Sequence, residues 1–260
     1  MKQINNSEAL SMLEGEGVDC AYEADALRMS IEDEEDVKCF SNDETLIIIQ
    51  FDEDTDYVTV VPLLNSVDFA EVAETIKSES ENENISVLLN VQRLKDKDVG
   101  AFTALLGDGY KVDLNIKDFS CVEKVYPDDP DVRLLAAADA EVFNMIVDEE
   151  APNRPPVSRL FDIFVNRGAG KIIGLFEGGR VVGYLSFTTM GEDVFDVDYI
   201  YVEPSERGKG GAKRLAKAYV TYAEDNKKVA YWSNAKNAAS ERTALAVGME
   251  KTREAVRIRR

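Results

Sequence analysis

Tyr199-Ile200-Tyr201-Val202-Glu203-Pro204-Ser205-Glu206-Arg207-Gly208-Lys209-Gly210-Gly211-Ala212-Lys213-Arg214-Leu215 joins a strand to a helix through a glycine loop. Its first residues are β-branched and aromatic and stop at Pro204, as a strand should. From Gly210 onward Leu215, Ala218, Tyr219 and Tyr222 recur at helical spacing. The loop between holds Gly208, Gly210 and Gly211 with the cations Arg207 and Lys209. A helix start carries unpaired N–H groups and the positive end of the helix dipole. Glycines let an anion approach those amides, so this order of elements predicts a phosphate or pyrophosphate site. The plain alternative is a strand-to-helix turn with a solvated Arg/Lys pair.

Two common phosphate loops do not fit. A Walker loop needs a four-residue gap between glycines and then Gly-Lys-Ser/Thr, which is absent. A dinucleotide fingerprint fails because Lys213 stands where its third glycine belongs. Arg-x-x-Gly-x-Ala does fit, filled by Arg207, Gly210 and Ala212. This resembles the pyrophosphate-binding motif of the GNAT superfamily of N-acetyltransferases, which holds the diphosphate of coenzyme A.

At 260 residues the chain can hold one large domain or two ordinary ones. An apolar content of 45% suits a globular core, and no apolar run approaches a membrane span of roughly 20 residues. The first residues, Met1-Lys2-Gln3-Ile4-Asn5-Asn6, lack the pattern of a secretory signal, so a soluble cytoplasmic protein is expected. Cys20, Cys39 and Cys121 have no metal-ligand spacing and read as idle thiols of a reducing compartment. There is no histidine, which excludes Ser-His-Asp and Cys-His catalysis and His-ligated metals. Proton transfer must fall to carboxylates, Tyr, Lys, Cys or water.

The net charge of −20 is unevenly placed. Residues 127–260 hold 21 acidic and 20 basic side chains, and residues 1–126 hold 29 and 10. An acidic half argues against nucleic acid as a partner. It suits solubility or attraction of a cationic amine or basic protein.

In the first half, helices are expected within residues 7–36, and a possible strand at Val37–Phe40. A hairpin follows, Thr45–Phe51 and Tyr57–Pro62, joined by the acidic loop Asp52–Asp56. That loop lacks the glycine and distal Glu of an EF-hand. Then come a helix over Val67–Ser80, a strand over Ile85–Val91, a helix over Asp96–Leu106, and strands over Lys111–Ile116 and Cys121–Tyr126. Pro127-Asp128-Asp129-Pro130 marks a boundary, which divides the chain into 1–126 and 127–260.

The second half reads as a short strand at Val132–Leu135, helices over Ala137–Glu150 and Val157–Asn166, and a hairpin around Glu177-Gly178-Gly179. A strand over Asp193–Val202, the glycine loop and its helix, a strand over Val229–Ser233 and a helix over Asn237–Val247 follow. This order is similar to that of GNAT proteins, as are Asn237-x-x-Ser240 opening the last helix and Gly248-Met249 ending it. The resemblance runs from Val132 to the end. It implies an α/β (α+β) fold, a mixed and mostly antiparallel sheet flanked by helices. The first half, from Thr45 on, repeats the order hairpin, helix, strand, helix, strand. Where a phosphate loop would fall it has Pro62-Leu63-Leu64-Asn65-Ser66-Val67, without glycine or cation. Two such domains in tandem, the first degenerate, are therefore expected, against the alternative of an unrelated α/β domain.

The resemblance also implies a site. The strand ending at Val202 would splay from Val229–Ser233. Acetyl-CoA would enter the gap, pair with backbone near Ile200, Tyr201 and Val202, and find an oxyanion donor there. Its diphosphate would rest on Gly208, Lys209, Gly210, Gly211 and Ala212 with Arg207, and Asn237 and Ser240 would contact it from the last helix. Asp196 occupies the place of a catalytic Glu in several family members. Asp198, two residues on, would share its face, and a carboxylate pair could raise one pKa and draw in a cation. Both could equally be solvated carboxylates of a polar face. The family often has a Tyr seven residues after the Asn, where this chain has Ala244; Tyr231, Tyr201, Tyr184 or water would have to protonate the leaving thiolate.

The expected function is transfer of an acetyl group from acetyl-CoA to an amine of a small molecule or peptide by direct attack. No metal, nucleic acid or membrane is implied, and a homodimer stays open. Ala244 favours a rival, a non-catalytic coenzyme A-binding or sensing protein. A further rival is an interaction protein whose acidic half binds a basic partner.

Overall fold

The aliphatic run Leu46–Ile49 is buried on both sides of a sheet, because helices cover both faces. Ile47 and Ile49 pack into one apolar cluster, and Leu46 and Ile48 into another. Alternation along the strand sends neighbours to opposite clusters.

In this computed structural model residues 1–16, 20–64, 67–94, 96–121, 126–146, 157–190, 194–222, 228–234 and 237–260 are described. The chain forms two compact units. The first comprises Met1–Asp118, Ser233–Lys236 and Lys251–Arg260, and the second Phe119–Trp232 and Asn237–Glu250.

The first unit contains β1 (Lys2–Ile4), α1 (Asn6–Gly15), α2 (Ala21–Glu32), β2 (Val37–Ser41), β3 (Thr45–Gln50), β4 (Asp56–Pro62), α3 (Phe69–Glu79), β5 (Ile85–Asn90), α4 (Asp96–Leu106) and β6 (Lys111–Cys121). Its last strand, β12 (Glu250–Arg259), comes from the other end of the chain. The strand order is β1-β2-β3-β4-β5-β12-β6. Two strands were expected over 111–126; a single strand runs to Cys121, and residues 122–125 lie outside the described residues.

The division also differs from a cut at Pro127. β12 pairs antiparallel with β5, from Ala255 opposite Asn90 to Arg259 opposite Ser86. Arg253 is buried within this unit, 2.6 Å from Glu23 and 2.5 Å from Asp118. A strand's own residues show that it is a strand, but they do not show which sheet it joins.

The second unit contains β7 (Val132–Leu134), α5 (Ala140–Phe143), α6 (Val157–Phe161), β8 (Lys171–Glu177), β9 (Arg180–Met190), β10 (Val194–Val202), α7 (Gly211–Tyr222), β11 (Lys228–Asn234) and α8 (Ala238–Ala246). Its strand order is β11-β10-β9-β8-β7. Gly178 and Gly179 both have positive φ, 58° and 80°, and close the two-residue β8–β9 turn. The helix expected over Ala137–Glu150 is short, a 3₁₀ turn and α5; residues 147–156 lie outside the described residues. One face of this sheet packs on Leu215, Ala216 and Tyr219 of α7 and Ala244 of α8. The other packs on Phe143 of α5 and Phe161 of α6.

Candidate functional site

The site is built where β10 changes register. Val197 lies opposite Phe187 of β9, but Tyr199 lies opposite Ser186, so Asp198 is the extra residue of a β-bulge. A bulge reverses the alternation beyond it. Phe195 and Val197 before it, and Ile200 and Val202 after it, therefore face the α7–α8 side. Tyr199 and Tyr201 face the α5–α6 side beside Tyr184. Asp196, opposite Thr188, falls on that second side by the same alternation. It is half-buried, whereas Asp198 is exposed at the bulge.

The bulge coincides with a parting of strands. β10 pairs in parallel with β11 through Val194–Asp196 and Lys228–Ala230. Its antiparallel pairing with β9 continues to Val202. Among the described pairs, Tyr199–Val202 is therefore bonded on the β9 side only.

Beyond β10 the loop turns into α7. Gly208 and Gly210 have φ of 81° and 84°, a conformation side chains resist, and a Cβ at either would meet nothing within 4 Å. Gly211 is different: a Cβ there would lie 2.9 Å from Leu175, so the helix start packs directly on the sheet. The first helical bond runs from Arg214 N–H to Gly210 C=O at 3.1 Å. The amides of Gly211, Ala212 and Lys213 thus precede the helical ladder. Arg207 donates from Nε to Val202 C=O at 3.0 Å and fastens the loop to the strand end.

On the far wall α8 begins at Asn237, whose side-chain oxygen accepts from Ser240 N–H at 3.1 Å. Ala239, Arg242, Thr243 and Ala246 follow on the helix face that shares this wall.

These walls enclose a cavity of about 690 Å³. It is lined by Tyr199–Val202 of β10, by Arg207, Gly208 and Gly210, by Gly211, Ala212 and Lys213 of α7, and by α8 from Asn237 to Ala246. Of the expected cofactor residues, Ile200, Tyr201, Val202, Arg207, Gly208, Gly210, Gly211, Ala212, Asn237 and Ser240 are on the wall. Lys209 is not. It turns to Glu206 at 2.7 Å, which holds the Glu206 carboxyl below its ordinary range and raises Lys209. Asp196 and Asp198 are also absent from the wall.

Several features escaped the sequence reading, Lys213 on the wall among them. Tyr199 lines the cavity. Arg242 and Thr243 line it too, and the helical spacing from Ala239 to Ala246 carried that signal. Ser186, opposite Tyr199, is buried with a hydroxyl that has no hydrogen-bond partner among the described residues. Of the expected alternative acids, Tyr201 is buried and on the wall, Tyr184 is buried behind it, and the Tyr231 side chain lies outside the described residues. Ala244 is fully buried in the core beneath α8.

The first unit differs at the corresponding strand pair and helix start. β4 and β5 pair in parallel over five positions, Asp56–Val60 with Ile85–Leu89. The N-terminus of α3 is capped by Asp68, whose carboxylate accepts from Ala70 N–H at 3.0 Å and Glu71 N–H at 3.1 Å. A carboxylate of the chain itself thus stands where α7 offers glycine. Among the described residues no cluster of His, Cys, Asp or Glu could hold a metal ion, and no helix is long and apolar enough to cross a membrane.

Residues 136–249 match the sequence profile of the Acetyltransferase (GNAT) family, and this segment of the chain is a GNAT domain. No curated protein matches the chain. Among solved structures, a Drosophila protein is 16% identical with a TM-score of 0.64, over 99% of this chain and 97% of that one. A GCN5-related N-acetyltransferase from Sphaerobacter thermophilus is 13% identical with a TM-score of 0.57, over 100% and 94%. A tandem GNAT protein from the clavulanic acid biosynthesis pathway is 14% identical with a TM-score of 0.52, over 100% and 97%. At such identities the likeness carries the fold: GNAT-like architecture extends through the N-terminal half as well.

Proposed function

We propose that the second unit transfers an acetyl group from acetyl-CoA to an amine of a small molecule or peptide. The observation that carries this reading is the cavity between the parted edge of β10 and the starts of α7 and α8. The diphosphate would lie on the amides from Gly208 to Ala212, and Asn237 and Ser240 would contact the cofactor from α8. The pantetheine arm would pair with the backbone from Tyr199 to Val202, where one N–H would stabilise the oxyanion. The same family membership supports an amine as acceptor.

Asp196 is the proposed base, with Asp198 contributing negative charge at the bulge. The acceptor nitrogen gives its proton to the Asp196 carboxylate, attacks the thioester carbonyl, and the C–S bond breaks. The departing thiolate takes a proton. Ala244 supplies none, so the proton would come from water or from Tyr199 or Tyr201, residues that line the cavity. The first unit, whose α3 start is capped by Asp68, is proposed to have lost cofactor binding.

Turnover is measured as thiol release from acetyl-CoA against a panel of amines. Asp196→Asn should lower kcat on the order of 100-fold and leave the KM for acetyl-CoA unchanged. Binding of acetyl-CoA with no turnover on any amine would favour the rival reading, a coenzyme A-sensing protein, to which the buried Ala244 points. Absence of binding would overturn both.

A further inference from the structure

A second cavity, of about 800 Å³, lies along α7 and shares no lining residue with the first. Its volume suits a small-molecule site, typically about 300–1,000 Å³. Its other walls are the segment Tyr126–Asp131, the edge strand β7 and Ile173 of β8. That segment is a strap pinned to its own unit at both ends. Tyr126 N–H donates to Thr221 Oγ1 at 3.1 Å, and the Tyr126 phenol donates to Val247 C=O at 2.8 Å. Asp129 accepts two bonds from the Arg214 guanidinium, both at 2.6 Å. Pro127 and Pro130 restrict the backbone beside these pins. The space between strap and helix is thus held in shape by the protein alone, which lowers the cost of ordering a site when a ligand arrives.

Most of the charged residues on these walls are already paired. Asp129 and Asp131 hold Arg214, and Arg133 pairs with Asp139 at 2.7 Å. Asp128 and Lys217 line the cavity without an ion pair among the described residues. Asp128 stands between the strap's pins, Tyr126 and Asp129, and Lys217 between the helix's pins, Arg214 and Thr221. Lys217 rests over the Tyr126 ring instead, 5.0 Å from its centre. One cavity therefore presents an anion and a cation that do not satisfy each other. The rest of its surface is apolar: Val132, Leu134, Ile173, Ala218 and the ring of Tyr222. We propose that this cavity binds a small zwitterion with an apolar body, of dipeptide size. Its carboxylate pairs with Lys217, its ammonium with Asp128, and its apolar part covers the floor. The site stands apart from the acetyl-CoA reading and needs no cofactor.

The test is calorimetric titration of the full chain with the dipeptide phenylalanyl-leucine, in the absence of acetyl-CoA. One dipeptide per chain with a Kd on the order of 0.1 mM is expected. Acetylating its amine or amidating its carboxylate should each weaken binding about tenfold, since one charge-assisted contact is lost. Glycyl-glycine, which lacks the apolar body, should bind at least about tenfold more weakly. Asp128→Asn should weaken the dipeptide about tenfold and leave the N-acetylated form unchanged, and Lys217→Gln should do the same with the amidated form unchanged. Ala218→Trp, which fills the floor, should abolish binding. Asp196→Asn should leave it intact. Both charge variants lie outside the core, so the test does not depend on the tryptophan variant folding. No saturable binding by the wild type up to about 10 mM would overturn the proposal. Binding that survives both charge variants would overturn it too. So would binding lost in Asp196→Asn and kept in the strap variants, because the dipeptide would then sit beside β10 as an acceptor.

Discussion

Arg253→Ala should be among the most damaging single substitutions in the first unit. Arg253 is 4% exposed, and its guanidinium lies 2.6 Å from Glu23 and 2.5 Å from Asp118. Asn90 donates to the same Glu23 carboxylate at 3.4 Å. One buried cation therefore serves the buried Glu23 carboxylate and the largely covered Asp118 carboxylate. Breaking such a group by removing its charge partner costs about 3–5 kcal/mol, because the carboxylates stay buried without compensation. That is a large share of a typical domain stability of about 5–15 kcal/mol. The residue also sits on β12, so the loss loosens the only strand that the far end of the chain contributes to this unit among the described residues. Urea denaturation followed by circular dichroism measures the loss, and amide exchange along β12 and β5 locates it.

The pH dependence separates charge from packing. Burial raises the Asp118 carboxyl above its ordinary range, Arg253 opposes this, and the Glu23 charge adds to it. An acid with a raised folded pKa favours the fold when protonated, so removing the arginine should hurt less as pH falls from 7 towards 4. A triple variant, Arg253→Met with Glu23→Gln and Asp118→Asn, should regain most of the loss. A change below about 1 kcal/mol at pH 7, or a loss that stays constant from pH 7 to 4, would refute the charge argument.

Two further outcomes follow from the second unit. Ala244→Tyr, which restores the residue type the family often has there, should destabilise by about 1–3 kcal/mol in thermal melts, because Ala244 is fully buried in a filled core. Asp129 is held below the usual carboxylate range by its hydrogen bonds from Arg214. Its contribution is present above the unfolded pKa of about 3.9 and is lost as pH falls through the lower folded value. Asp129→Asn should therefore lower the melting temperature at pH 7 and make little difference near pH 2.

Much of the second unit could be read from its residues, because each signal was local. The glycine pair at 178–179 fixed a hairpin, Asn237 capped a helix, and Gly208 and Gly210 took the positive φ their positions require. The bulge at Asp198 was not legible. Simple alternation put Asp196 and Asp198 on one face, and the register shift appears only once β9 is alongside. Asp56 stands last in the acidic loop expected between the hairpin strands. It is fully buried and accepts hydrogen bonds from Glu81 N–H and from Asn82 backbone and side chain. Long-range partners decided each of these cases, and they also decided the place of β12. Lys209 shows the limit of motif reading from the other side. It sits inside the glycine motif, yet a local carboxylate takes it away from the cavity.

The most direct experiment is the stoichiometry of acetyl-CoA binding by calorimetry, in the wild type and in Gly210→Glu. Gly210 has open space around it and a φ of 84°, so a glutamate there is strained and places a negative charge beside the loop amides. One acetyl-CoA per chain with affinity on the order of micromolar, about −8 kcal/mol, and loss of that binding in the variant, is the predicted result. Two molecules per chain would contradict the proposal that the second unit alone takes the cofactor. Unchanged binding in Gly210→Glu, or none in the wild type, would contradict the glycine loop as the anion site.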